Sequence, residues 1–184
     1  MLIGVDEVGR GCWAGPVVAG AVALMQPIDG LKDSKLLTRK QREYLAGQIK
    51  SHSIWGTGWA KASEVDEIGL TLAVKLAMQR AIDYWADLTN VKQIIIDGNY
   101  NFLDNLPQVK CMIEADQKVP EVSAASILAK VARVDYMRQQ ALVFPGYGFD
   151  VHVGYGTALH KERLKQYGVC ELHRKSYKPI KQMG

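Results

Sequence analysis

Cysteine is scarce in this 184-residue chain. Cys12, Cys111 and Cys170 lie far apart, which excludes a disulfide framework and a CxxC metal pair. A chain of this length buries roughly 70% of its unfolded surface, so it needs neither to fold. Sparse thiols suit a reducing cytoplasm. No apolar run reaches the roughly 18 residues of a membrane span. The amino-terminal Met1-Leu2-Ile3-Gly4-Val5-Asp6 has no basic segment and meets an acid at once, so it does not read as a secretory signal. There is no internal repeat, low-complexity tract or linker-like stretch. What is present, 48% hydrophobic and 23% charged residues, is ordinary for a globular protein and excludes a disordered or fibrous chain.

The net charge is +4, and its distribution says more than its size. From Val151 to Gly184 seven Lys and Arg face two Asp and Glu. The first 150 residues carry sixteen against seventeen. A basic end on a near-neutral body fits a polyanionic partner such as nucleic acid; a merely solubilising tail would look the same on charge alone.

Periodicity gives a mixed order of elements. Leu2–Val5 reads as a buried strand, Pro16–Leu24 as a second and Ser53–Ala60 as a third, weakened by two glycines. Thr38 with Gln41 has capping-box spacing and predicts a helix from Arg39 to about Lys50. Ser63 with Asp66, followed by Val65, Ile68, Leu72 and Leu76, predicts one helix from Glu64 to about Ala86. Val91–Ile96 and Val109–Ile113 read as strands. A long helix is expected from about Glu121 to Leu142, broken by Pro145, Gly146 and Gly148, and a short one over Thr157–Tyr167, stopped by Gly168. The expected fold is α/β, a mixed sheet flanked by helices, with residues 1–143 as the main domain and 144–184 as a small basic helical extension packed on it.

Acidic residues stand at the expected strand ends: Asp6 and Glu7 after the first, Asp97 after Ile96, and Asp116 three residues beyond Ile113. Such ends collect ligand sites in open sheets, and clustered carboxylates invite a hard divalent cation. Singly, each is also an ordinary turn former, as Asp97-Gly98 would be. Adjacent strand residues point to opposite faces, so Asp6 and Glu7 serve one site only where the strand ends or bulges. Gly9-Arg10-Gly11-Cys12-Trp13-Ala14 matches the dinucleotide fingerprint, but Pro16 leads into a strand where that fingerprint requires a helix. Ser123-Ala124-Ala125-Ser126 lacks a nucleophile elbow and reads as close packing. His52, His152, His160 and His173 lack H-E-x-x-H zinc spacing; His160 and His173, in the basic tail, are candidates for a phosphate contact.

Taken in order, Asp6-Glu7-Val8-Gly9-Arg10-Gly11, Asp33-Ser34-Lys35, Ile96-Asp97-Gly98-Asn99, Ala115-Asp116, Ser123–Lys130, Gly154-Tyr155-Gly156-Thr157 with His160, and His173-Arg174-Lys175-Ser176 resemble the bacterial ribonuclease HII family, the type 2 ribonucleases H. The resemblance covers nearly the whole chain. It implies a ribonuclease H-like fold and a two-metal endoribonuclease using Mn²⁺ or Mg²⁺. Its substrates would be RNA/DNA hybrids and duplex DNA with embedded single ribonucleotides, cut on the 5′ side of the ribonucleotide to leave 5′-phosphate and 3′-hydroxyl ends. It assigns Asp6, Glu7, Asp97 and Asp116 as catalytic metal ligands, and Gly9, Arg10 and Gly11 as readers of the ribose 2′-hydroxyl. Tyr155 would pack on the sugar, with Ser34 and Lys35 on phosphate. No membrane partner is expected, and the expected state is a monomer. Leu36 and Val153 replace common lysines and Val134 a common aspartate, which would weaken phosphate binding and increase salt sensitivity. The competing readings are a module that binds RNA/DNA junctions without cutting, and a two-metal nuclease or phosphatase of other specificity.

Overall fold

The computed structural model describes residues 1–31, 34–85 and 87–183. Asp33 and Ala86, named above, lie outside the described residues. Five strands form one sheet in the order β3-β2-β1-β4-β5. β1 (Leu2–Val8) pairs antiparallel with β2 (Val17–Leu24), and β2 with β3 (Ser53–Ala60). β4 (Gln93–Asp97) lies parallel to β1 on its other side, followed by β5 (Val109–Met112) at the edge. Helix α1 (Arg39–His52) begins at the predicted capping box: Thr38 N–H donates to the Gln41 side chain, and Gln41 N–H to the Thr38 hydroxyl. α5 (Pro120–Val143) runs across the sheet. Among the described residues, no helix is long and apolar enough to cross a membrane.

The single helix expected from Glu64 is two. α2 (Ala62–Ile68) stops at Gly69, whose φ of +81° lies in the left-handed region, and α3 (Leu70–Ile82) restarts at once. The cap also differs. Glu64 accepts the Lys61 N–H at 2.7 Å, while the carboxylate of Asp66 accepts the amides of Lys175 and Ser176 in the tail. The break turns the buried stripe of α3 to Ala73, Val74, Ala77, Met78 and Ala81, leaving Leu72 exposed.

Helices approach the sheet closely because the strands carry glycine at the crossings. A Cβ on Gly58 of β3 would collide with the Ala77 carbonyl of α3. A Cβ on Gly4 or Gly20 would strike the backbone of α5 at Glu121–Val122 or at Ala125. The glycines that weaken β3 as a strand pattern are thus its helix contacts. The small residues 123–126 are the matching surface on α5 and are buried there. One core fills the space between the sheet and α3, including Ile3, Val5, Met78, Ile94 and Ile96. Another, with Val22, Ile49, Ala125 and Leu128, lies under α1 and α5.

After α5 the chain forms α6 (Phe149–His152), α7 (Ala158–Tyr167) and α8 (Lys178–Lys181). Phe149 of α6, with Tyr147 and Leu172 from the flanking segments, packs in a separate cluster with Ala14 and Met137. His160 and His173, candidates for a phosphate contact, are fully buried and face each other instead, Nε2 to Nε2 at 3.0 Å. The partners fix the tautomers. His160 Nδ1–H donates to the Tyr155 carbonyl, so His160 Nε2 accepts. His173 Nε2 must therefore donate, and its Nδ1 accepts the Cys170 N–H. Neutral rings satisfy every nitrogen, and burial pushes both imidazoles down to about 4.

Three outcomes follow. Gly58→Ala should cost about 1–3 kcal/mol or more in urea unfolding. Gly47→Ala, in α1 with nothing within 4 Å of its new Cβ, should gain about 0.5–1 kcal/mol. Because the unfolded chain protonates its histidines near pH 6.5 while folded His160 and His173 stay neutral to about pH 4, stability should fall as pH drops through that window. NMR titration of the two rings checks this; midpoints near 6.5 would refute it.

Candidate functional site

β1 outruns its parallel neighbour. Its pairing with β4 ends at Val5↔Ile96, while its pairing with β2 continues through Val8↔Val18. Asp6 and Glu7 therefore lie inside β1 and not after it, on the stretch where the edge facing β4 is open. A cleft of about 280 Å³ wraps this free edge, and both residues line it. That resolves the geometric difficulty of two adjacent residues serving one site: the strand neither ends nor bulges, but its neighbour stops. Asp97 is the last residue of β4 and lines the same cleft, its Oδ1 accepting the Ala115 N–H at 2.7 Å. Asp116 enters from α4 (Ala115–Lys118), a single turn after β5 whose preceding residue, Glu114, takes a left-handed φ of +57°.

The same cleft is lined by Gly9, Arg10, Gly11, Ser34, Lys35 and Tyr155, so the residues assigned by the family resemblance meet at one place, while His160 and His173 do not line it. Ser126 and Lys130 also line it, although the sequence pattern of 123–126 points to packing and gives Lys130 no role. Ser126 hydrogen-bonds Asp6 and lies 3.0 Å from the Ser34 hydroxyl, to which Lys130 Nζ donates at 3.3 Å. Their spacing of four along α5 was the available signal, since it sets both on one helix face.

Electrostatics single out Asp6. Burial raises its carboxyl to about 8, and the neighbouring negative charges of Glu7 and Asp97 add to the effect; the Ser126 and Glu7 N–H hydrogen bonds only partly offset it. Burial also raises Glu7, against the pull of Arg10, whose Nη1 donates to Glu7 Oε1 at 3.0 Å. Lys35 Nζ stands 3.9 Å from Asp116 Oδ2. Four carboxylates are thus crowded into a cleft whose lining also carries Arg10, Lys35 and Lys130.

The donor set is all carboxylate oxygen, which suits a hard divalent cation such as Mg²⁺ or Mn²⁺ and not zinc or copper. In the described residues no three His, Cys, Asp or Glu side chains are already gathered into a cation cage. Glu7 is turned to Arg10, and Asp97 to the Ala115 amide. The residues fit such an ion by chemistry and by charge, with side-chain adjustment on binding.

Tyr155 closes the opposite wall. Its ring is partly exposed, with the Arg133 guanidinium 6.0 Å from the ring centroid and the hydroxyl hydrogen-bonded to the buried Cys12 thiol. Arg133, fully buried on α5, donates to the carbonyls of Ala14, Pro16 and Val153. It joins the glycine loop's exit to the segment that carries Tyr155. Val153, one of the departures from the family pattern, takes a left-handed φ of +43° and packs its side chain among the apolar residues of the C-terminal helices. Leu36 is exposed, and Val134 is half-buried.

Comparison with known proteins identifies the family. The chain is 42% identical to the ribonuclease HII of Halorhodospira halophila, covering 99% of this chain and 94% of that protein. It is 46% identical to that of Bordetella avium, over 98% and 90%. Among solved structures, ribonuclease HII in its PCNA complex from Archaeoglobus fulgidus superposes with a TM-score of 0.79 at 25% identity, covering 100% of this chain and 96% of that one. The family model described as Ribonuclease HII matches residues 3–180, so this chain belongs to the ribonuclease HII family of metal-dependent endoribonucleases, which share the ribonuclease H-like fold.

Proposed function

We propose that the protein cuts the RNA strand of RNA/DNA hybrids, and duplex DNA on the 5′ side of a single embedded ribonucleotide, by two-metal-ion hydrolysis at the β1–β4 cleft. One observation carries this reading: Asp6, Glu7, Asp97 and Asp116 line the same cleft as the Gly9–Gly11 loop and Tyr155. Four carboxylates alone fit many phosphoryl hydrolases. Their union with a glycine loop lining the same cleft fits an enzyme that checks for a 2′-hydroxyl, the group that distinguishes RNA from DNA.

The residues divide the work. Asp6, Glu7, Asp97 and Asp116 would hold the cations, and relief of the repulsion that keeps Asp6 from ionising favours cation uptake. The chemistry required of bound Mg²⁺ or Mn²⁺ is activation of a water and neutralisation of the departing 3′ oxygen, leaving a 5′-phosphate and a 3′-hydroxyl. Ser126 fixes the rotamer of Asp6, and the Ala115 amide that of Asp97. Gly9, Arg10 and Gly11 bring backbone against the ribose; Gly9 is needed on the inner side, where a Cβ would strike Arg133 and the Pro16 carbonyl. Tyr155 packs on the adjoining sugar. Ser34 and Lys35 meet a phosphate oxygen, and the basic segment 144–184 acts as a packed extension that follows the phosphate backbone without reading bases.

The test is a labelled DNA duplex carrying one ribonucleotide, with all-DNA and RNA/DNA controls, in Mg²⁺, Mn²⁺ and chelator. A metal-dependent cut 5′ of the ribonucleotide, with the all-DNA duplex intact, is expected. Cleavage of the all-DNA duplex would overturn the specificity, and metal-dependent binding without product would leave a junction-binding module. Asp97→Asn should lower kcat by more than the about 10–100-fold that loss of a ligand's supporting partner costs, while the thermal midpoint is retained or raised because one repelling charge is gone. Full activity in that variant would remove Asp97 from the site.

A further inference from the structure

The tail reaches the glycine loop from behind. Residues 13–15 and 172–174 run alongside each other: Arg174 N–H donates to the Trp13 carbonyl, Gly15 N–H to the Leu172 carbonyl, and Ala14 forms a β-bridge with His173. The Arg174 side chain then turns toward the loop. Its Nε donates to the Gly15 carbonyl at 3.0 Å and its Nη1 to the Arg10 carbonyl at 2.9 Å. The Tyr177 hydroxyl donates to the same Arg10 carbonyl at 2.7 Å and accepts from Arg174 Nη1 at 2.9 Å. Both lone pairs of one loop carbonyl are therefore taken by two tail side chains that also bond each other.

This contact has a directional consequence. A trans peptide holds its C=O and the following N–H in one plane, pointing opposite ways. Pinning the Arg10 carbonyl toward the tail aims the Gly11 N–H away from it. That amide has no hydrogen-bond partner among the described residues, a Cβ on Gly11 would meet nothing within 4 Å, and Gly11 lines the cleft. The peptide is clamped on its acceptor side and open on its donor side.

The clamp is costly to build. Arg174 is fully buried, its hydrogen-bond partners are carbonyls and a hydroxyl rather than a carboxylate, and its Nη2 has no partner. Burying a guanidinium so poorly compensated costs more than an apolar side chain of similar volume would. The segment is also tied from outside, by the Asp66 carboxylate on the amides of Lys175 and Ser176, each at 2.8 Å.

We propose that Arg174 and Tyr177 are positioning residues for ribonucleotide recognition: by holding the Arg10 carbonyl they orient the Gly11 N–H toward the 2′-hydroxyl. This rests on the reading of the Gly9–Gly11 loop as the ribose reader. Neither residue touches substrate, so the effect appears in discrimination and not in general affinity for duplex.

Tyr177→Phe is the discriminating variant. It keeps the ring whose centroid lies 5.2 Å from the Arg174 guanidinium and removes only the hydroxyl. Binding to a duplex with one ribonucleotide and to the same all-DNA duplex is measured by fluorescence anisotropy in chelator, so that nothing is cut. The parent protein should prefer the ribonucleotide duplex. Tyr177→Phe should lose at least about 5-fold of that preference, with all-DNA affinity within 2-fold of the parent and a thermal midpoint within a few degrees. Asp66→Ala, a surface change that frees the tail amides, should lower the preference in the same direction and serves if Tyr177→Phe folds poorly. If parent and variants share the same preference while folded, the positioning role is wrong and the loop reading stands. If the parent shows no preference, the loop reading fails and the proposal falls with it.

Discussion

The close approach of α5 to β1 and β2 organises the rest of the molecule. Gly4 and Gly20 bring helix backbone against strand backbone, and the small residues 123–126 complete the contact. With α5 seated at that depth, one face of the helix carries a series of functions in helical spacing. Ser126 meets Asp6, Lys130 meets Ser34, Arg133 gathers the carbonyls of Ala14, Pro16 and Val153, and Met137 enters the apolar cluster of the C-terminal helices. A helix held about one side-chain layer farther out would lose all four together. Packing and site are thus one constraint, and the rigidity a catalytic cleft needs comes from backbone contact that has little room to vary.

Charge is arranged in two opposite ways around the cleft. Its front concentrates carboxylates until Asp6 resists ionisation, so the site is poised for a cation. Behind it, two fully buried guanidiniums, Arg133 and Arg174, spend their donors on backbone carbonyls of the loop after β1. The first arrangement is unfavourable until an ion arrives. The second stabilises a loop that has no regular structure of its own. Together they place a mobile-looking glycine sequence on a fixed footing beside an electrostatically hungry centre.

Much of the fold was legible in the sequence, for local reasons. α1 begins at its Thr38–Gln41 box and α7 ends at Gly168, because caps are short-range hydrogen bonds and backbone preferences that neighbouring residues decide. β2 and β3 fall within a residue of their apolar patterns. The break at Gly69 was hidden by the apolar spacing of Val65, Ile68, Leu72 and Leu76, which continues through it. The spacing is a coincidence of two helices, and Leu72 points to solvent. Polar residues usually end a buried run, so the sequence pattern sets Asp6 and Glu7 after their strand; the sheet's stagger, invisible in one strand, puts them inside it. His160 and His173 were grouped with the basic tail by position, whereas their partners are buried.

Local sequence carries the alphabet of the site: acids close after apolar strand runs, a glycine loop, a basic end, and motifs whose order matches one family. Each of these is carried by residues close together in the chain, where covalent geometry and short-range preferences act. Tertiary structure alone decided which of these meet, since contacts such as Ser34 with Ser126, Arg133 with Ala14 and Arg174 with Arg10 span 92, 119 and 164 residues. Those contacts arise only when the sheet's stagger and the depth of α5 bring remote backbone together, and no local preference encodes a distance between segments that far apart.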